Sequence, residues 1–198
     1  MFVKVCGLST PESVREAVDA GADAVGFVLT TSPREVSPET VRELLPLVPP
    51  LVRAVGVFRH ETVAEAIAMA RAAGLSWVQL HGHRTAADVE AVHDAGMRVI
   101  RAVTMGASPE EFGDLGEDVF LVDAAVPGSG EAWDYALVRE KGLDGRPWLL
   151  AGGLEPGNVT SAVADAGAWG VDVSSGVESS RGVKDLAKVR AFVKAAKA

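Results

Sequence analysis

The chain holds one thiol, Cys6, which closes the apolar run FVKVC just before Gly7. A cysteine so placed has two readings. It can be a small buried hydrophobe. It can also be a base, because the Ser9-Thr10-Pro11 helix start that follows offers a helix N-terminus able to stabilise a thiolate. Asp123 closes another apolar run, VFLV. A carboxyl leaving buried surroundings has a raised pKa and can donate a proton; the same group in an open loop would only cap nearby N–H groups. A base and an acid at the ends of two buried strands are the means of general acid–base catalysis.

The segments AGGLEPGNV (151–159) and DVSSGVESSRG (172–182) supply a different chemistry. Their glycines permit close backbone approach, so Gly152, Gly153, Ser175 and Gly176 can present N–H donors to a phosphate without a basic patch. The PGSG turn, with Gly128, Ser129 and Gly130, can add donors, although such a sequence also makes a plain tight turn. Arg34, in the polar stretch SPREVS, is either a solvated arginine or a bidentate partner for a substrate carboxylate. His81 is a ligand contact or a core histidine, and Asp172 orients substrate hydroxyls or steadies the loop after it. His81-Gly82-His83 is too sparse for a metal site, and one cysteine excludes thiolate clusters. No metal is therefore expected.

The elements that must position these groups are written in a repeating phrase: an alanine-rich helix end, a glycine, a short β-branched run. It occurs around Gly21, Gly74, Gly96 and Gly167. Each glycine suits the left-handed residue that ends a helix, and each run suits a strand buried on both faces. Extending the rule predicts strands near 2–6, 24–29, 52–58, 77–80, 98–103, 119–123, 148–151 and 170–173. Amphipathic segments near 11–20, 38–48, 61–73, 85–95, 108–114, 133–141, 156–166 and 184–197 lie between them. Thr10-Pro11-Glu12 and Ser37-Pro38-Glu39 read as hydroxyl caps followed by proline in the first turn. Eight alternating units predict a (β/α)8 TIM barrel, a closed eight-stranded parallel sheet with minimal loops, forming one catalytic domain over 1–198. The alternative is an open doubly wound sheet, but the G-x-G-x-x-G turn usual after its first strand is missing. In the barrel, catalytic groups gather at the C-terminal strand ends, where Cys6, His81, Asp123 and Asp172 all fall.

A net charge of −8 over 198 residues repels polyanions, so neither nucleic acid nor an anionic membrane is an expected partner. A small molecule is. With 48% hydrophobic and 23% charged residues, the composition supports a packed core. The apolar start carries Lys4 and is too short for a signal peptide, and no run reaches the ~20 apolar residues of a membrane span. A reducing cytoplasm fits, with a monomer or homodimer.

Together these motifs resemble phosphoribosylanthranilate isomerase over nearly the whole chain. KVCGLS (4–9) is similar to that family's opening, whose cysteine is the general base. GADAVGF, VQLHG, LVDA and PGSGEAWDY follow in the family's order, as do AGGLEPGNV, GVDVSSGVE and GVKD. The resemblance implies Cys6 as base, Asp123 as acid and Arg34 as holder of an anthranilate carboxylate. Glu131 stands where the family usually has lysine, and the loop around Arg34 is altered. The implied reaction is the Amadori rearrangement of N-(5-phosphoribosyl)anthranilate in tryptophan biosynthesis, without a cofactor. Two rivals stand beside it. Histidine-pathway or bifunctional aminoaldose isomerases of the same barrel group carry aspartate where this chain has Cys6. A phosphate-ligand-binding barrel without turnover would have no need of both an acid and a base.

Overall fold

The computed structural model describes residues 1–126, 132–143 and 145–198. Eight parallel strands close into a barrel in sequential order: β1 (Phe2–Cys6), β2 (Ala24–Val28), β3 (Arg53–Phe58), β4 (Trp77–His81), β5 (Arg98–Thr104), β6 (Val119–Asp123), β7 (Trp148–Leu150) and β8 (Gly170–Val173). Closure excludes the open sheet. β8 pairs with β1 in the register Lys4↔Asp172, which sets residues from opposite ends of the chain side by side.

Strand alternation sorts the core into two layers. Inside the barrel pack Ala24, Val55, Ile100, Ala102, Leu121 and Leu149. Outside, Val3, Val5, Phe27, Val78, Phe120 and Val171 meet the helices. These are α1 (Pro11–Asp19), α2 (Pro38–Leu44), α3 (Val63–Ala73), α4 (Ala86–Asp94), α5 (Val159–Ala166) and α6 (Leu186–Lys197). Thr10 and Ser37 cap α1 and α2 as expected, each hydroxyl accepting a backbone N–H of the first turn. The four glycines of the repeating phrase all have positive φ.

Three of the expected helical segments depart from the prediction. Over 38–48 the α-helix stops at Leu44 and a 3₁₀ turn, Leu45–Leu47, takes over around Pro46, whose missing N–H breaks the α ladder. Over 108–114 there is only a 3₁₀ turn, Pro109–Phe112. Buried Arg101 explains this: its Nη1 donates to Glu111 O at 2.7 Å and its Nη2 to Gly113 O, while Arg146 Nη1 donates to Phe112 O at 2.9 Å. The turn's carbonyls are thus satisfied by two guanidinium groups rather than by another helical turn. Over 133–141 a 3₁₀ helix, Tyr135–Lys141, replaces the α-helix. Its entry is pinned to the end of β7 by Trp133 Nε1, which donates to Ala151 O, and Tyr135 Oη, which donates to Gly152 O. A short hairpin, β9 (Glu178–Ser180) with β10 (Val183–Lys184), was not anticipated.

Candidate active site

At the C-terminal mouth of the barrel lies a cavity of about 280 Å³. Cys6, Arg34, His81, Asp123, Gly152, Gly153, Asp172 and Ser175 all line it, so eight side chains or turns picked from separate stretches of sequence converge on one space. Gly176 does not line it. A Cβ on Gly176 would fall 1.8 Å from Leu154 O, so this glycine lets the turn after β8 lie directly against the loop after β7. Gly128, Ser129, Gly130 and Glu131 lie outside the described residues.

Cys6 is 6% exposed, at the end of β1. Burial pushes its thiol above the ordinary value, against the pull of Lys4 and Lys184 and with the push of Asp172. Asp123, 9% exposed at the end of β6, is pushed up to about 6 by burial, with Ala124 N–H, Arg59 and Lys4 opposing and Asp172 adding. Its Oδ1 accepts from Ala124 N at 2.8 Å. Gly152 makes room for that arrangement: a Cβ there would come within 2.5 Å of Ala124 N and 2.9 Å of Asp123 Oδ1, and its φ is +82°. The acid and its neighbouring glycine are therefore one construction.

His81 is held neutral, its pKa lowered to about 3 by burial and by Lys4, Arg59 and Arg84. Its Nε2 lies 2.8 Å from Gln79 Nε2. Arg34 is fixed by Glu178, which accepts from Nε at 2.6 Å and from Nη2 at 3.0 Å. Glu178 also accepts from Lys184 Nζ at 3.0 Å and Gly182 N at 3.1 Å. Burial works against its charge, yet Arg34 and Lys184 hold its pKa below the ordinary carboxyl value. Among the described residues Arg34 Nη1 has no hydrogen-bond partner, and a guanidinium carries five donors.

No sequence motif assigns a role to Lys4, Arg59, Gln79, Glu178, Arg181 or Lys184. Arg59, Gln79 and Arg181 line the cavity, and the rest stand behind it. Lys4 had a legible signal, a lysine in an otherwise apolar strand two residues before Cys6. Glu178 and Lys184 lie in an ordinary-looking polar stretch and become a site component only through the hairpin.

A closed parallel barrel with a buried thiol, a buried carboxyl of raised pKa and glycine-lined loops at one mouth defines a (β/α)8-barrel enzyme equipped for proton transfer on a small anionic substrate. Residues 3–195 match the family model for N-(5'phosphoribosyl)anthranilate (PRA) isomerase. An N-(5'-phosphoribosyl)anthranilate isomerase of Geotalea uraniireducens is 42% identical over 204 residues, covering 98% of each chain. The phosphoribosyl anthranilate isomerase of Thermus thermophilus superposes with a TM-score of 0.90 at 36% identity, over 98% of each chain. A second structure, of a phosphoribosyl anthranilate isomerase in complex with reduced 1-(o-carboxyphenylamino)-1-deoxyribulose 5-phosphate, gives 0.87 at 34% identity, over 100% of this chain and 98% of its own. The chain belongs to the phosphoribosylanthranilate isomerase family. Among the described residues, no helix is long and apolar enough to cross a membrane.

Proposed function

We propose that this chain catalyses the Amadori rearrangement of N-(5'-phosphoribosyl)anthranilate to the corresponding 1-deoxyribulose 5-phosphate, a step of tryptophan biosynthesis, with Cys6 as general base and Asp123 as general acid. The observation that carries this reading is that a thiol from β1 and a carboxyl from β6, the latter pushed up to about 6, line the same cavity. Asp123 protonates the furanose ring oxygen, and the ring opens to a Schiff base. The Cys6 thiolate then takes the C2 proton, giving an enolamine that tautomerises to the ketone. Anion recognition divides between the two sides of the mouth. The backbone about Gly153 and Ser175, with Gly152 and the PGSG turn, holds the phosphate, and the free edge of Arg34 holds the anthranilate carboxylate. Gly176 serves the phosphate site by bringing its two loops together. Asp172 and neutral His81 contact the sugar. A thiol base suits a reducing cytoplasm, where it stays unoxidised.

Steady-state kinetics on freshly generated substrate, followed by the loss of its fluorescence, test the assignment. Cys6→Ser and Asp123→Asn are each expected to lower kcat by ~10²–10⁴ with the fold intact by circular dichroism. The double variant falls by less than the product of the two losses, because both groups serve one proton-transfer sequence. A folded single variant with wild-type kcat removes that residue from the scheme.

A further inference from the structure

The barrel interior holds a charge that the acid–base scheme leaves unused. Lys4 is the only polar residue among Phe2, Val3, Lys4 and Val5, and strand alternation turns it to the same inward face as Cys6. It lies wholly out of water. Its Nζ is 2.9 Å from Asp172 Oδ1 on the neighbouring strand β8. On the other side, β2 carries Gly26 opposite Cys6. A Cβ built on Gly26 would come 2.8 Å from Cys6 Sγ and 3.2 Å from Lys4 Nζ. Thiol and ammonium thus converge over one side-chain-free spot, within Coulombic reach of each other. Two apolar side chains of similar volume would fill the space of the Lys4–Asp172 pair at least as favourably. Packing does not account for it.

We propose that Lys4 is a positioning residue for the reaction: its ammonium, anchored by Asp172, stabilises the Cys6 thiolate inside the barrel and so sets how readily Cys6 forms its basic state. This rests on the reading of Cys6 as the base. In the proton-transfer step the thiolate takes the C2 proton and becomes a thiol, the electron pair of the C–H bond passes into the enolamine, and Lys4 keeps its own proton throughout. The other charged groups facing the thiol are Asp172 from β8, Lys184 from β10 and Arg34 from the loop after β2. Lys184 and Arg34 are both engaged by Glu178, and Asp172 is engaged by Lys4. Burial opposes the charge on Lys4, but Asp172 and Cys6 hold its pKa above the ordinary lysine value. Lys4 therefore remains a cation beside the thiol.

The thiol is titrated directly by the pH dependence of its alkylation with iodoacetamide, in the wild-type protein, in Lys4→Met, in Asp172→Asn and in Lys4→Met/Asp172→Asn. Each single variant leaves one partner unpaired in the interior; the double variant leaves neither charged and protects the fold. The alkylation midpoint is expected to rise by roughly 1–3 pH units from wild type to Lys4→Met, and likewise from Asp172→Asn to the double variant, a comparison in which the push of Asp172 on the thiol is absent from both proteins. In Lys4→Met, kcat/KM at neutral pH falls by about the same number of decades, through kcat and with KM nearly unchanged. A midpoint in the folded double variant no higher than in Asp172→Asn overturns the role of Lys4, whatever the activity does. Failure of the underlying reading looks different: the midpoint moves while folded Cys6→Ala keeps wild-type kcat.

Discussion

Asp123 illustrates how one buried carboxyl links activity to stability. An exposed carboxyl of the unfolded chain titrates near ~3.9, and the folded group near about 6. Because the folded value is raised, its stabilising contribution is full below about pH 4 and is lost as pH rises through about 6. At neutral pH the buried carboxylate therefore weakens the fold by about 2–3 kcal/mol, at ~1.36 kcal/mol per pH unit. Asp123→Asn is expected to raise Tm at pH 7–8 while abolishing most activity, with the gain vanishing near pH 4; thermal denaturation across that range checks it. The same values shape the rate profile. Cys6 titrates above its ordinary value and Asp123 near about 6, so between those points the thiol and the carboxylate dominate. The reactive thiolate–carboxyl pair is then a minor form of constant share, and kcat/KM is flat between the two ionisations and falls on either side. Arg34 makes a separate residue-scale prediction. Arg34→Ala should weaken substrate binding by roughly 1.5–3 kcal/mol, read as a raised KM. An unchanged KM would assign the carboxylate to another cation of the mouth.

At the scale of elements, the loops after β7 and β8 behave as one unit because Gly176 lets them touch. Gly176→Ala drives a methyl group onto Leu154 O, so the loops must part. The expected result is a loss of about 1–3 kcal/mol in chemical denaturation and weaker competitive inhibition by inorganic phosphate. Gly21→Ala is the matched comparison. Gly21 has φ +94° but nothing within 4 Å of a built Cβ, so the substitution costs about 1 kcal/mol of backbone strain and leaves phosphate inhibition as it was. Equal phosphate inhibition in the Gly176 variant and the wild type would separate these loops from phosphate binding.

For the molecule as a whole, the weak sector of the helical layer is the stretch over β5 and β6, where a 3₁₀ turn stands in place of a helix. A buried ion cluster covers that gap. Arg101 stacks over Phe120 at 4.6 Å, Glu117 joins Arg101 at 3.1 Å and also pairs with Arg146, and the guanidinium groups hold the carbonyls of the turn. Glu117 and Arg101 are almost wholly buried, so this cluster differs in kind from an exposed pair such as Arg42–Glu39. Glu117→Gln strands two arginines without a counter-charge and is expected to cost about 3–5 kcal/mol in urea unfolding, with kcat of the folded protein preserved. Glu39→Gln should leave the urea midpoint where it is.

The amino-acid sequence alone determined the alternation of strands and helices, and with it the closed barrel, because four of the units are announced locally by a helix end, a glycine and a β-branched run, and their spacing places the others. It also placed Cys6, His81, Asp123 and Asp172 at the C-terminal end of the barrel, since a polar residue at or next to the end of a buried strand is visible within a few positions. What only the tertiary structure decided are partnerships over long separations. Lys4 meets Asp172, and Arg34 meets Glu178, because the barrel closes β8 onto β1 and the hairpin folds back over the mouth. The value near which Asp123 titrates, and the service of Gly152 and Gly176 to neighbouring loops, depend on what surrounds each group in space. The missing helix over β5 follows the same logic. An amphipathic pattern states a local preference, and buried Arg101, reaching the carbonyls of that segment from the adjacent strand, settled its geometry instead.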